Sequence, residues 1–87
     1  MASYRVFIKA SAGKELAAVG GRPDRQRIIA RIQGLAANPR SRGAEKMAGH
    51  SDRYRIRQGN YRIVYLIDDT ALEVTIYKIG DRKDVYR

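Results

Sequence analysis

The chain has 87 residues and a mass of 9.9 kDa, which fits a single domain spanning 1–87. It holds no cysteine and one histidine, His50, so disulfides, thiolate zinc sites and multi-histidine metal centres are excluded, and no cofactor is expected. Eighteen Lys and Arg against nine Asp and Glu leave a net charge of +9, which points toward a polyanionic partner.

Tyr4-Arg5-Val6-Phe7-Ile8-Lys9 alternates and is rich in strand formers, so it predicts a first strand. Ser11 is placed to cap a short helix whose apolar side is Leu16 and Val19, stopped by Gly20-Gly21. Pro23 and Asp24 suit the start of a second helix, in which Ile28, Ile32, Leu35 and Ala36 share a stripe. Arg25, Arg27 and Arg31 fall largely off that stripe and form, with Arg40 and Arg42, a basic flank. Asn38-Pro39 ends the helix, and residues 40–51 read as a loop.

Three strands are expected after it: 52–58, 61–67 and 72–79, separated by turns at Gly59-Asn60 and Asp68-Asp69-Thr70. The predicted fold class is α+β: an N-terminal strand, a helix hairpin, then a three-stranded antiparallel meander, all in one sheet with the helices on one face. No apolar run reaches the ~18 residues of a membrane span. The N-terminus lacks a signal-peptide core, so the expected setting is cytoplasmic, with no membrane partner.

Register follows from the turns. If Gly59-Asn60 are the two loop residues, Gln58 pairs with Tyr61, Arg57 with Arg62, Ile56 with Ile63 and Tyr54 with Tyr65. A turn at Asp69-Thr70 sets Ile67 against Leu72, Tyr65 against Val74 and Ile63 against Ile76, and brings Tyr77 beside Arg62. The apolar set then stays on one face. Arg53, Arg55, Arg57 and Arg62 share the other, with no acid between them. Like charges directly opposed across strands cost up to about 1 kcal/mol, so the cluster suits a bound anion. Arginine's planar fork fits phosphate, and Tyr77 could stack a base. The opposing view is that these are exposed strand arginines neutralised by Asp81 or Asp84.

Four stretches carry a resemblance: Lys46-Met47-Ala48-Gly49, Arg53-Tyr54-Arg55-Ile56-Arg57, Asn60-Tyr61-Arg62-Ile63-Val64-Tyr65 and Gly80-Asp81-Arg82-Lys83-Asp84-Val85-Tyr86. In this order and spacing they resemble the RelE/ParE superfamily of bacterial type II toxins over nearly the whole chain. The resemblance implies a RelE-like fold, a co-encoded antitoxin as partner, and cleavage of mRNA in the ribosomal A site by a metal-independent endoribonuclease. It places the family's catalytic positions on Arg55, Arg57, Arg62, Arg82 and Tyr86. Arg53, Tyr77, Lys83, Arg25 and Arg31 are further RNA-binding candidates. ParE-type members share the fold and inhibit DNA gyrase, which is the alternative function; an inactive relic that still binds antitoxin is a third.

Two departures from the family matter. Arginine stands at Arg55 and Arg57 where lysine is common, and a guanidinium stays protonated far above neutrality, so Arg57 is a poor base. Asp81 stands where several relatives have histidine. Tyr86, Lys83 or a ribosomal group remain as bases, or the site has no efficient one. His50 and Lys46 read as loop residues, and Asp68-Asp69 as turn chemistry.

Overall fold

In the computed structural model, residues 3–49 and 52–81 are described. The chain begins with β1 (Arg5–Ile8), then α1 (Ala10–Ala17) and α2 (Arg22–Gly34), then β2 (Glu45–Lys46), β3 (Arg53–Gln58), β4 (Tyr61–Asp68) and β5 (Glu73–Asp81). The strands form one five-stranded sheet in the order β1-β5-β4-β3-β2. The α+β class and the element order match the expectation, but the C-terminal sheet is more than a three-stranded meander. Residues 45–46, read as loop, form β2 on the outer edge of β3, and β1 lies parallel to β5 on the opposite edge.

The helices start for local reasons. The Lys9 amide still bonds to the Ile76 carbonyl at 2.9 Å, and its own carbonyl accepts from Gly13 at 2.9 Å. Strand therefore passes directly into helix, with Lys9 at the N-cap, and Ser11 lies inside α1 rather than capping it. Gly21, extended at φ −115, caps α2; Pro23 and Asp24 sit in its first turn. Ala12, Val19, Ile28, Ile32 and Leu35 bury against Ile56, Ile63, Tyr65, Ile67, Val74, Ile76 and Ile79 of the sheet. Tyr65 and Ile63 at the centre of β4 are fully buried, as a middle strand requires. Where β1 ends, Glu15 of α1 takes over the edge of β5, accepting the Ile79 amide at 3.0 Å.

The β3–β4 register is as predicted, Gln58 opposite Tyr61 through Tyr54 opposite Tyr65. Gly59 supplies φ +60 at the first loop position, where a II′ hairpin turn needs a residue that tolerates positive φ. The β4–β5 register differs. Ile67 faces Val74 rather than Leu72, and Tyr65 faces Ile76 rather than Val74, an offset of two residues. The cause is a longer loop: Asp68 Oδ1 accepts the Ala71 amide at 3.0 Å, and Leu72 turns the chain at φ +56. A two-residue offset keeps the same side chains on the same face, so the predicted core survives it. Between Val64 and Tyr65 the pairing slips once more, because β5 carries a bulge that leaves Tyr77 without a partner on β4. The bulge lets Ile76 and Ile79 both enter the core, three positions apart.

Candidate active site

The face of the sheet turned from the helices carries the charge. Arg57 and Arg62 are direct cross-strand neighbours, and Arg55 lies opposite Val64 on the same face. Together with Gly43 and Glu45 they line a cleft of about 110 Å³. It has room for a phosphate group, and three guanidinium groups edge it.

Each member is held differently. Arg62 is only 4% exposed, although it is charged. Its Nη1 donates to the Tyr61 carbonyl at 3.1 Å, and among the described residues no carboxylate pairs with it. Burying an arginine without an acid is costly unless another anion completes the site. Arg57 is exposed at the rim. Arg55 Nη2 contacts Glu45 Oε2 at 3.1 Å across the β2–β3 pair. The expectation of a cluster free of acid is thus corrected: β2 brings a carboxylate to its edge. Glu45 and Gly43 were missed because a two-residue strand is too short to show alternation.

Gly43 is needed where it stands. Its φ is +92, and a Cβ there would meet Arg31 Nη2 at 3.4 Å and Ile56 Cγ1 at 3.9 Å. Arg31 therefore lies behind the cleft loop rather than on an open helix face, and its Nε is buried without a hydrogen-bond partner. Arg25 stays on the α2 flank, half-buried, and Arg27 lies 3.9 Å from Asp24.

Tyr77 is not beside Arg62, whose partner on β5 is Gly80. The bulge sets the tyrosine farther along the same face. There its ring lies 4.8 Å from the Arg53 guanidinium carbon and 4.3 Å from Lys9 Nζ. Arg82, Lys83 and Tyr86, along with His50, lie outside the described residues. So does Asp84, one of the two acids considered as neutralising the strand arginines.

At the other end of β3 and β4 an arginine is held by the fold through all three of its nitrogens. Arg40 donates to Asp69 through Nη1 and Nη2 at 3.0 and 2.8 Å and to the Tyr54 hydroxyl through Nε at 3.1 Å. Tyr4 donates to the same Asp69 at 2.6 Å. Arg40 and then Tyr4 hold the Asp69 carboxyl down to about 2. That carboxylate raises the Tyr4 phenol in turn. Beneath them the buried Tyr65 hydroxyl donates to the Pro39 carbonyl at 2.6 Å, and burial pushes its pKa up to about 12. The turn reading holds for Asp68 but misses the role of Asp69.

Among the described residues, no three His, Asp or Glu side chains gather as metal ligands, and no helix is long and apolar enough to cross a membrane.

A family model described as the ParE toxin of the type II toxin–antitoxin system, parDE, matches residues 4–86. Solved structures agree. A RelE–RelB complex from Pyrococcus horikoshii matches with 26% identity and a TM-score of 0.83, over 94% of this chain and 98% of that one. The isolated RelE toxin of E. coli matches with 26% identity and a TM-score of 0.79, over 97% and 92%. The intact RelBE complex of E. coli matches with 26% identity and a TM-score of 0.78, over 91% and 96%. No curated protein matches the chain.

Proposed function

We propose, from the premise that this chain belongs to the ParE toxin family of type II toxin–antitoxin systems, that it is a ribosome-dependent mRNA endonuclease neutralised by a co-encoded antitoxin. The observation that carries this reading is the Arg57–Arg62 pair, opposed across two strands over a phosphate-sized cleft, with Arg62 buried and no carboxylate paired with it among the described residues. A toxin acting only as a docking surface has no need of it.

The chemistry fits those residues. The ribose 2′-OH attacks the adjacent phosphorus, the P–O5′ bond breaks, and a 2′,3′-cyclic phosphate and a 5′-hydroxyl result. The nucleophile belongs to the substrate, so the protein's task is positioning and charge stabilisation. Arg62 and Arg55 face the charge that develops on the phosphorane oxygens, and Arg57 closes the rim. Arg82 and Tyr86 complete this set under the family resemblance, gripping the phosphate and stacking or orienting the attacking nucleotide. Arg57 cannot take the 2′ proton at neutral pH; Tyr86, Lys83 or a ribosomal group is left to do so. Arg53, Tyr77, Lys83 and Arg25 contact RNA beyond the scissile phosphate, and Arg31 supports the cleft loop. Partners are the ribosome with its mRNA, and an antitoxin like the RelB of the structural relatives, all in the cytoplasm.

Reconstituted translation followed by primer extension on the mRNA tests the reading. Cleavage within ribosome-bound codons, lost in Arg62→Ala, is expected; translation without new mRNA ends would overturn it. The parDE description of the matching family favours a second reading, gyrase inhibition. Loss of supercoiling activity in a gyrase assay, with mRNA intact, would establish that one instead.

A further inference from the structure

We infer that Lys9, Arg53 and Tyr77 form a second nucleotide subsite. It takes the base and phosphate of single-stranded RNA next to the phosphate held in the cleft. The inference rests on the endonuclease reading and extends it to substrate length.

Three observations converge. Arg53 and Arg55 point to the same face of β3 two residues apart, which places them about 7 Å from one another along the strand. That step is close to the phosphate repeat of an extended polynucleotide. A chain with one phosphate beside Arg55 therefore brings the next to Arg53. Second, Arg53 Nε is buried with no hydrogen-bond partner, so at least one donor of this guanidinium is left unfilled by the described residues. Third, the β5 bulge frees Tyr77 from cross-strand pairing and sets its ring beside Arg53, with Lys9 arriving from the end of β1. Bulges recur next to active sites because they re-aim a side chain in this way.

The occupant is chosen by chemistry. Two cations around one aromatic ring offer a stacking surface with charge on its flanks, the combination that holds a base and its phosphates. Neither Lys9 nor Arg53 has a carboxylate partner among the described residues. An acidic peptide would use the cations but not the ring face. With a base on Tyr77, the cations move from the ring to the flanking phosphates.

The test is fluorescence anisotropy with labelled oligoribonucleotides carrying a 2′-deoxyribose at the cleavable position, comparing a dinucleotide with a tetranucleotide. The wild-type protein is expected to favour the tetranucleotide. Tyr77→Leu should lower that preference about tenfold, the scale of one lost base stack, and Tyr77→Phe should keep it. Lys9→Ala should flatten the dependence of tetranucleotide affinity on salt by about one phosphate contact. If tetranucleotide preference survives Tyr77→Leu, the subsite is wrong while the endonuclease reading stands. If Tyr77→Leu instead weakens only an antitoxin peptide, the face belongs to a protein partner and the inference falls. If the wild-type protein cleaves no mRNA and binds neither oligonucleotide, both fall together.

Discussion

The two ends of the β3–β4 hairpin treat arginine in opposite ways. At the Asp69 end, Arg40 spends three of its N–H groups on a carboxylate and a phenol, and two tyrosines complete the cluster. At the Gly59 end, Arg57 and Arg62 stand side by side, and Glu45, which lines the same cleft, is engaged with Arg55. Thirteen arginines in one small chain say little about which of them act. Their partners say more. A guanidinium whose donors are filled by the fold is part of the fold. One buried beside another cation is a standing electrostatic deficit, and the anion that relieves it is the best guide to function.

The comparison breaks most sharply at Arg62. Arg62→Ala should reduce mRNA cleavage by roughly 10²–10³, the value of one donor aimed at developing charge, and abolish growth inhibition. Arg57→Ala gives a more discriminating result. Removing an exposed cation opposed to another should leave the protein as stable or raise its stability by up to about 1 kcal/mol, while cleavage falls. A parallel fall of stability and cleavage in Arg57→Ala would show that the pair is structural, and the contrast between the two ends would be lost. Both are read from melting curves and primer extension on the same preparations.

The next effect belongs to the structural end. Tyr65→Phe deletes the hydroxyl that satisfies the buried Pro39 carbonyl and should cost about 1–3 kcal/mol. At about 4–8 °C per kcal/mol for a domain of this size, the melting temperature should drop visibly. Cleavage measured well below that temperature should change little, because Tyr65 faces the helices and not the cleft.

Much of this was legible in the residues, and the limits have physical causes. The β3–β4 register could be read because Gly59-Asn60 is a two-residue turn with little freedom, and that register alone opposes Arg57 and Arg62. The β4–β5 register could not. Asp69 and Thr70 look like a tight turn, but Leu72 adopts a positive φ that a leucine does not advertise, and the bulge at Tyr77 shows only as the three-residue step from Ile76 to Ile79. Up to Ile76 the core was nevertheless right, because an even offset preserves faces; past the bulge Ile63 faces Ile79 rather than Ile76, an offset of three that brings Ile79 into the core. Partners remote in sequence were beyond reach. Lys9 meets Tyr77 only because β1 lies parallel to β5, and Arg40 meets Asp69 only when the loop after α2 closes over the turn. Arg82, Lys83 and Tyr86 lie outside the described residues, and only the family resemblance assigns them a part.

The smallest effect sharpens the comparison through pH. Asp69 titrates at about 2 in the folded protein, against an ordinary value near 3.8, because Arg40 and Tyr4 both stabilise its charged form. A folded pKa below the unfolded one means stabilisation that is complete above the unfolded value and is lost as pH falls toward the folded one. The Asp69 contribution should therefore be intact at pH 5 and fade between about 4 and 2. Tyr4 has the opposite sign: its pKa is raised above 10.0, so its contribution is present below that value and lost as pH rises through the folded one. Because the network is exposed, salt and solvent weaken it, and the shifts in melting temperature should be small. Asp69→Asn should lie below the wild-type curve at neutral pH, and the two should converge in acid. Tyr4→Phe should remove part of the alkaline decline and leave the part due to Tyr65, whose buried phenol titrates near 12. Cleavage near neutrality should follow neither curve, since these groups keep their charge state there. A constant gap between wild type and Asp69→Asn down to pH 2 would mean that Arg40 and Asp69 do not interact as charges. The arginines at the two ends of the hairpin would then differ in packing alone.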